Sequence, residues 1–265
     1  MPVKKEPNGR RSVQAEVEVP GTPEEVWNAI ATGPGISSWF VPSLVEEKAG
    51  GKIAMSFGPG MDSHATIDEW QPPQRFVASN PDEAGPNNPA VATEWTVEAQ
   101  SGGSCVVRVV HSWFASTDDW DDQFEGHTHG WNAFFRTLRL YLTQFRGQHA
   151  QCLQLMATSA KPTPEAFGTL TAALGIGTPQ LAQRVTSRNA PALSGVVENV
   201  GPADYPQLLV RMDEPTAGIG HLFAFSMGPQ TMVVVRFYLF GKQESERLAK
   251  QERTWQEFLQ ATFPS

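Results

Sequence analysis

Between positions 118 and 146 the hydrophobic period of this chain changes from two to about 3.6 residues, and that change constrains the fold more than any other feature. Trp120, Phe124, His127, Trp131, Phe134, Leu138, Tyr141 and Phe145 recur at alternating spacings of 3 and 4. One apolar stripe therefore runs along roughly seven turns of a single helix. Asp118, Asp119, Asp121 and Asp122 crowd its start, where the helix dipole favours negative charge, and Arg136, Arg139 and Arg146 lie toward its end.

Upstream, the period is two. Residues 11–19 alternate, with Val13, Ala15, Val17 and Val19 on one face, as a half-buried strand does. Thr22, Pro23 and Glu25 then form a capping box that opens a helix with Val26, Trp27 and Ile30 on its apolar side. A second short helix at about 35–40 carries Trp39 and Phe40. Strands are expected at 43–57, 63–70, 75–80, 90–99 and 104–115. Ile53, Met55 and Phe57 share one face, as do Val91, Thr93, Trp95 and Val97. Cys105, Val107, Val109, His111 and Trp113 share another.

The remainder repeats this plan in worn form. Thr163, Pro164 and Glu165 echo Thr22, Pro23 and Glu24 at a distance of 141 residues. Trp255, Phe258 and Leu259 echo Trp131, Phe134 and Phe135 at a distance of 124, so the second copy is 17 residues shorter and lacks a strand or two. The pattern predicts a strand at 153–157, helices at 163–174 and 178–187, strands at 192–200, 207–213, 218–227 and 231–240, and a last helix at 244–262. The expected domains are a mobile tail over 1–10, a first domain over 11–146 and a second over 151–265.

Strand, short helices, antiparallel strands, then one long amphipathic helix is an α+β order. One face of such a sheet must be covered, and only the long helix has a stripe broad enough to do it. The expected architecture is a curved antiparallel sheet wrapped around a C-terminal helix, in two copies, the second shortened.

Composition excludes several function classes. The 20 Lys and Arg stand against 28 Asp and Glu, a net charge of −8, which is not the basic balance of a nucleic-acid binder. No run of about 20 apolar residues would span a membrane, and no apolar segment follows the basic start as in a secretory signal. Two cysteines, Cys105 and Cys152, are too few for a disulfide scaffold and fit a reducing cytoplasm. No nucleophile elbow, phosphate loop or dinucleotide fingerprint is present, so no cofactor is expected.

The first 146 or so residues resemble the START-like, helix-grip superfamily, in the branch of the activators of the heat-shock protein 90 ATPase. The resemblance is carried by Thr22 to Trp27, Trp39-Phe40, Gly50 to Ile53, Ile67 to Trp70 followed by Pro72-Pro73, Glu94-Trp95, and Gly130-Trp131 ahead of Leu138 and Tyr141. Residues 151–265 resemble it loosely. It implies a helix-grip fold with an internal pocket for an apolar or aromatic ligand. The eukaryotic chaperone activators carry a further N-terminal domain with no counterpart here, which weighs against chaperone activation.

Eight Trp and 15 Phe against 3 Tyr supply large apolar rings that either fill the core or line that pocket. The expected ligand-binding residues are Trp39, Phe40, Met55, Phe57, Trp70 and Trp95, together with His111, Trp113, His127, Trp131 and Phe134. His127 lies within about 40° of Trp131 on the helical wheel, inside the apolar stripe, and a polar ring there needs a partner. His111 meets the same space from the sheet. Asp121, Glu125 and His129 share another side of the helix and read as solvent-facing, so no metal is expected. The expected function is non-catalytic binding of a small hydrophobic or aromatic ligand by a cytoplasmic protein. The alternatives are a cyclase- or hydrolase-type enzyme using His127, or a stress-related co-chaperone. A homodimer, or a protein partner held through the second domain, stays open.

Overall fold

The computed structural model describes residues 3–7, 9–80, 91–114, 121–189, 191–242 and 244–264, with the side chains of 114 and 121–129 excluded. The chain divides into two compact units, Met1–Gly147 and Gln148–Ser265.

The first unit is built on an eight-stranded antiparallel sheet. Its strands are β1 (Lys4–Lys5), β2 (Arg10–Pro20), β3 (Ser43–Val45), β4 (Lys52–Ser56), β5 (Asp62–Gln71), β6 (Arg75–Asn80), β7 (Val91–Gln100) and β8 (Ser104–Phe114). They lie in the order β1-β2-β8-β7-β6-β5-β4-β3, so the first long strand pairs with the last. Two helices, α1 (Pro23–Ala31) and α2 (Gly33–Ser37), leave the sheet after β2, and α3 (Asp121–Gln144) follows β8 and packs on β2.

Local chemistry sets these boundaries. The Thr22 hydroxyl accepts from the Glu25 amide at 3.3 Å, and the Glu25 carboxylate accepts from the Thr22 amide at 2.9 Å, which closes the expected capping box. The strand expected over 43–57 is instead two strands. The chain turns through Gly50 and Gly51 between them, and a Cβ on Gly51 would lie 2.1 Å from the Glu46 carbonyl oxygen. Lys4–Lys5, expected within a mobile tail, pair with Arg11 and Ser12 of β2.

The second unit has six antiparallel strands: β9 (Gln151–Ser159), β10 (Arg184–Thr186), β11 (Ser194–Val200), β12 (Gln207–Glu214), β13 (Gly218–Met227) and β14 (Gln230–Leu239). Their order is β10-β11-β12-β13-β14-β9, again with the first strand against the last. Helix α4 (Thr163–Leu174) packs on β13 and β14, and α5 (Ser245–Thr262) packs on β9. Leu153, Leu170, Leu222, Val235, Phe237 and Trp255 lie at the centre of its core.

One expected helix is absent. Within 178–187 the structure has strand β10, paired antiparallel to β11. Ala182 sits at φ 62°, a left-handed conformation that no helix continues through, and Val185 is 3% exposed within the core.

Candidate functional site

Cross-strand register assembles the sheet side of the site. Val13 and Thr93 both stand opposite His111, and Ala15 and Trp95 both stand opposite Val109. Directly opposed residues share a face, so these form two adjacent rows. The second row continues through Phe76, opposite Trp95, to Trp70, opposite Phe76.

The turn between α1 and α2 brings in two further rings. Thr32 caps α2 by accepting from the Gly35 amide at 3.1 Å. A Cβ on Gly35 would lie 1.9 Å from the Asn28 carbonyl oxygen, so only glycine permits this close crossing. The chain then delivers Trp39 and Phe40. Trp39 is 1% exposed and donates its indole N–H to the Ala29 carbonyl at 2.9 Å, which satisfies its polar atom inside the core. From α3 come Trp131, Phe134 and Phe135.

These rings form one continuous layer. Trp131 lies 5.1 Å from Phe40 with the planes 25° apart, and 5.1 Å from Trp95, edge-on at 84°. Phe40 also meets Phe134 at 4.4 Å and Phe57 at 5.6 Å, both edge-on. On the far side Trp95 leads through Phe76 to Trp27 and Trp70. Offset and edge-on contacts at such distances are the favourable geometries for aromatic pairs. Trp39, Phe40, Trp95 and Phe135 are buried, whereas Met55, Phe57, Trp131 and Phe134 are half-buried.

His111 is the polar member of this layer and is buried. The Trp131 indole nitrogen donates to its Nε2 at 2.5 Å, and its Nδ1 lies 2.9 Å from Thr93 Oγ1. An indole N–H can only donate. Nε2 therefore carries the lone pair, Nδ1 carries the proton, and Nδ1–H donates to Thr93. The imidazole is neutral, in one tautomer, with its plane 28° from that of Trp131.

The structure thus brings together Trp39, Phe40, Phe57, Trp70, Trp95, His111, Trp131 and Phe134 of the expected residues. Trp113 is fully buried and packs with Val13, Val91 and Val3, next to the layer along β8. Met55 stands on β4 opposite Ser43 and Ser63. The side chain of His127 lies outside the described residues, as do those of Asp121, Glu125 and His129. His64 is exposed on β5.

Sequence reasoning missed Thr93 as the partner of His111, and Trp27, Phe76 and Phe135 as members of the layer. The stripe on α3 could have found Phe135, four residues after Trp131 and three before Leu138. Burial pushes both thiols upward, Cys152 to about 11, so both stay protonated near neutrality. Among the described residues no group of three His, Cys, Asp or Glu could hold a metal, and no helix is long and apolar enough to cross a membrane. An open cleft of about 670 Å³ lies elsewhere on the first unit, where Glu24, Gln74, Arg75, Thr96 and Glu98 alternate with Pro23, Pro73, Val97 and Ala99 in a mixed polar and apolar lining.

Comparison with known proteins gives three kinds of finding. No curated protein matches the chain in sequence. Among solved structures, DynU16, from the dynemicin biosynthetic locus, is 17% identical over 94% of this chain and 96% of its own, with a TM-score of 0.42. CalU16 from Micromonospora echinospora is 18% identical over 54% of this chain and 83% of its own, at 0.42. The Aha1 dimer from Colwellia psychrerythraea is 20% identical over 51% of this chain and 98% of its own, at 0.45. The family model described as Activator of Hsp90 ATPase homolog 1-like protein matches residues 20–143, from the end of β2 to the last turn of α3. That segment is just under half of the chain and holds every ring of the layer around His111, and through it the chain is similar to the Activator of Hsp90 ATPase homolog 1-like family.

Proposed function

We propose that the first unit binds a small apolar or aromatic molecule between the ring-bearing face of its sheet and α3, without chemistry on the ligand. The chain reads as two helix-grip units in tandem, the second two strands shorter and serving as a packing or interaction module. One observation carries this reading: the His111–Trp131 hydrogen bond on the half-buried side of the aromatic layer. Burying an imidazole is costly and is offset only by its hydrogen bonds, and here one of those bonds goes to a half-buried ring that a ligand could replace. Half-buried Met55, Phe57, Trp131 and Phe134 give an apolar molecule a face on which to enter.

Methionine-methyl NMR of the whole protein tests the reading. Of the seven methionines, Met55 stands on the β4 side of the site, and Met55→Leu assigns its signal. Titration with naphthalene is expected to shift the Met55 methyl saturably while Met212, buried in the second core, stays still. A Met55 signal that never moves, with naphthalene or with a panel of larger apolar molecules, would remove the proposal.

A further inference from the structure

We infer that the site selects a planar aromatic molecule bearing an N–H or O–H donor, such as a phenol or an indole, and that the Trp131 side chain is the internal stand-in for that ligand. The inference rests on the ligand-binding reading above and adds the chemistry of what is bound.

The surroundings of Trp131 are those of a recognised ligand. Phe40 lies nearly parallel to the indole, Trp95 meets it edge-on, and the only polar atom of the ring points its hydrogen at His111 Nε2. The indole donor makes His111 Nε2 the acceptor nitrogen. In that tautomer Nδ1–H donates to Thr93, and Nε2 presents a lone pair and no hydrogen. A ligand N–H or O–H can replace the indole N–H there. A carbonyl, ether or carboxylate oxygen makes no hydrogen bond to Nε2 in this tautomer, and pairing it requires the imidazole proton on Nε2 and the Thr93 hydroxyl turned to donate to Nδ1. Trp131 is half-buried, unlike Trp39 and Trp95, and of the half-buried tryptophans Trp70 and Trp131 it is the one bonded to His111, so it is the ring whose turning outward opens this acceptor. Its departure leaves a flat slot with a ring wall on Phe40, an edge on Trp95 and an acceptor at the end.

The probes are 2-naphthol, 2-methoxynaphthalene and naphthalene, titrated calorimetrically into the whole wild-type chain and into Trp131→Ala. Trp131→Ala is expected to bind 2-naphthol at least about tenfold more tightly than 2-methoxynaphthalene, the size of one unmade buried hydrogen bond. Adding His111→Phe is expected to bring the two within about twofold of each other. Equal affinities for 2-naphthol and 2-methoxynaphthalene in Trp131→Ala would overturn the donor inference and leave the ligand-binding reading standing. No binding of any probe to either protein would overturn both. Where Trp131→Ala does not fold, the wild-type indole N–H signals decide, with Trp131→Phe identifying the relevant one. Bound 2-naphthol must move that signal away from its hydrogen-bonded position, and a signal unmoved at saturation would overturn the inference.

Discussion

His111 has both ring nitrogens engaged by neutral partners, so its orientation depends on each of them. Thr93→Val keeps the shape of the residue and removes the oxygen that accepts from Nδ1–H. The expected loss is about 1–2 kcal/mol in urea unfolding, and the Trp131 indole signal should change position because the imidazole that accepts from it loses its partner at Nδ1. An unchanged signal together with unchanged stability would contradict the assignment. Alternation along β8 placed His111 on the inner face from sequence alone. Its partner was hidden, because Thr93 lies 18 residues away and meets it only through the register of β7 on β8. His221 shows a different limit. On β13 every residue from Gly218 to Leu222 is buried, so alternation carries no signal there. Its Nε2 lies 3.1 Å from Gln207 Oε1, and Arg236, opposite it on β14, donates to Gln154 at 2.7 Å. Burial first, and then the Arg236 charge, pushes the imidazole down to about 3. The folded protein holds it neutral, whereas the unfolded chain takes up the proton near the ordinary value of about 6.5. Its contribution is complete above that pH and is lost as the pH falls from there toward 3, at about 1.4 kcal/mol per unit. Wild type should therefore lose about 2 kcal/mol more than His221→Phe between pH 6.5 and 5, read from hydrogen exchange in β12 and β14. Parallel pH profiles for the two proteins would exclude this linkage.

At the scale of elements, the two Thr-Pro-Glu motifs look alike in sequence and work differently. Thr22 is the N-cap of α1, and Glu25 both completes the box and pairs with Arg146 at 2.9 Å beyond the end of α3. In the second unit Pro162 takes the N-cap position and makes no side-chain bond. Thr163 turns inward, where its hydroxyl lies 3.0 Å from Ser226 and 3.3 Å from Thr231, tying α4 to the β13–β14 hairpin. Thr22→Ala should cost about 1 kcal/mol and loosen amide protection in the first turn of α1. Thr163→Val should cost a similar amount without loosening α4, because it removes a buried hydroxyl contact and no cap. The bond from the Thr22 amide, ahead of the Arg146 charge, holds the Glu25 carboxyl below its ordinary range. Its contribution is thus present at neutral pH and fades as the pH drops through that lowered value. The stability gap between wild type and Glu25→Gln, well under 1 kcal/mol for so exposed a group, should close in acid thermal melts. Sequence shows where both helices begin, since Thr, Pro and Glu have strong positional preferences there. It does not show which hydroxyl turns inward, which depends on a hairpin 63 residues away. It also misread 178–187 as a helix. Leu181, Ala182 and Gln183 favour helix individually, but the left-handed backbone at Ala182 and the pairing of Val185 with Gly195 are decided by tertiary contact.

For the whole molecule, the opening change of period was enough to separate sheet from helix in the first unit, and the unequal spacings of 141 and 124 pointed to a shorter second stretch. The sheets have eight and six strands, each with its first long strand against its last. What the sequence could not reveal is how apolar content divides between packing and ligand, since Phe134 and Phe135 are equivalent in pattern and differ in burial. The core of the second unit draws every member from residues 153–263. Trp255 is 2% exposed there, with Phe237 at 4.8 Å and Phe258 at 5.7 Å. Trp255→Ala removes most of a large buried ring and should destabilise that unit by about 3–5 kcal/mol. If each core is self-sufficient, hydrogen-exchange protection should fall across β11 to β14, while protection in β7 and β8 and the Met55 response to naphthalene remain as in wild type. Loss of the Met55 response in a Trp255→Ala protein whose β7 and β8 stay protected would mean that the second unit supports the binding layer itself. The packing role proposed for the second unit would then extend to the ligand site.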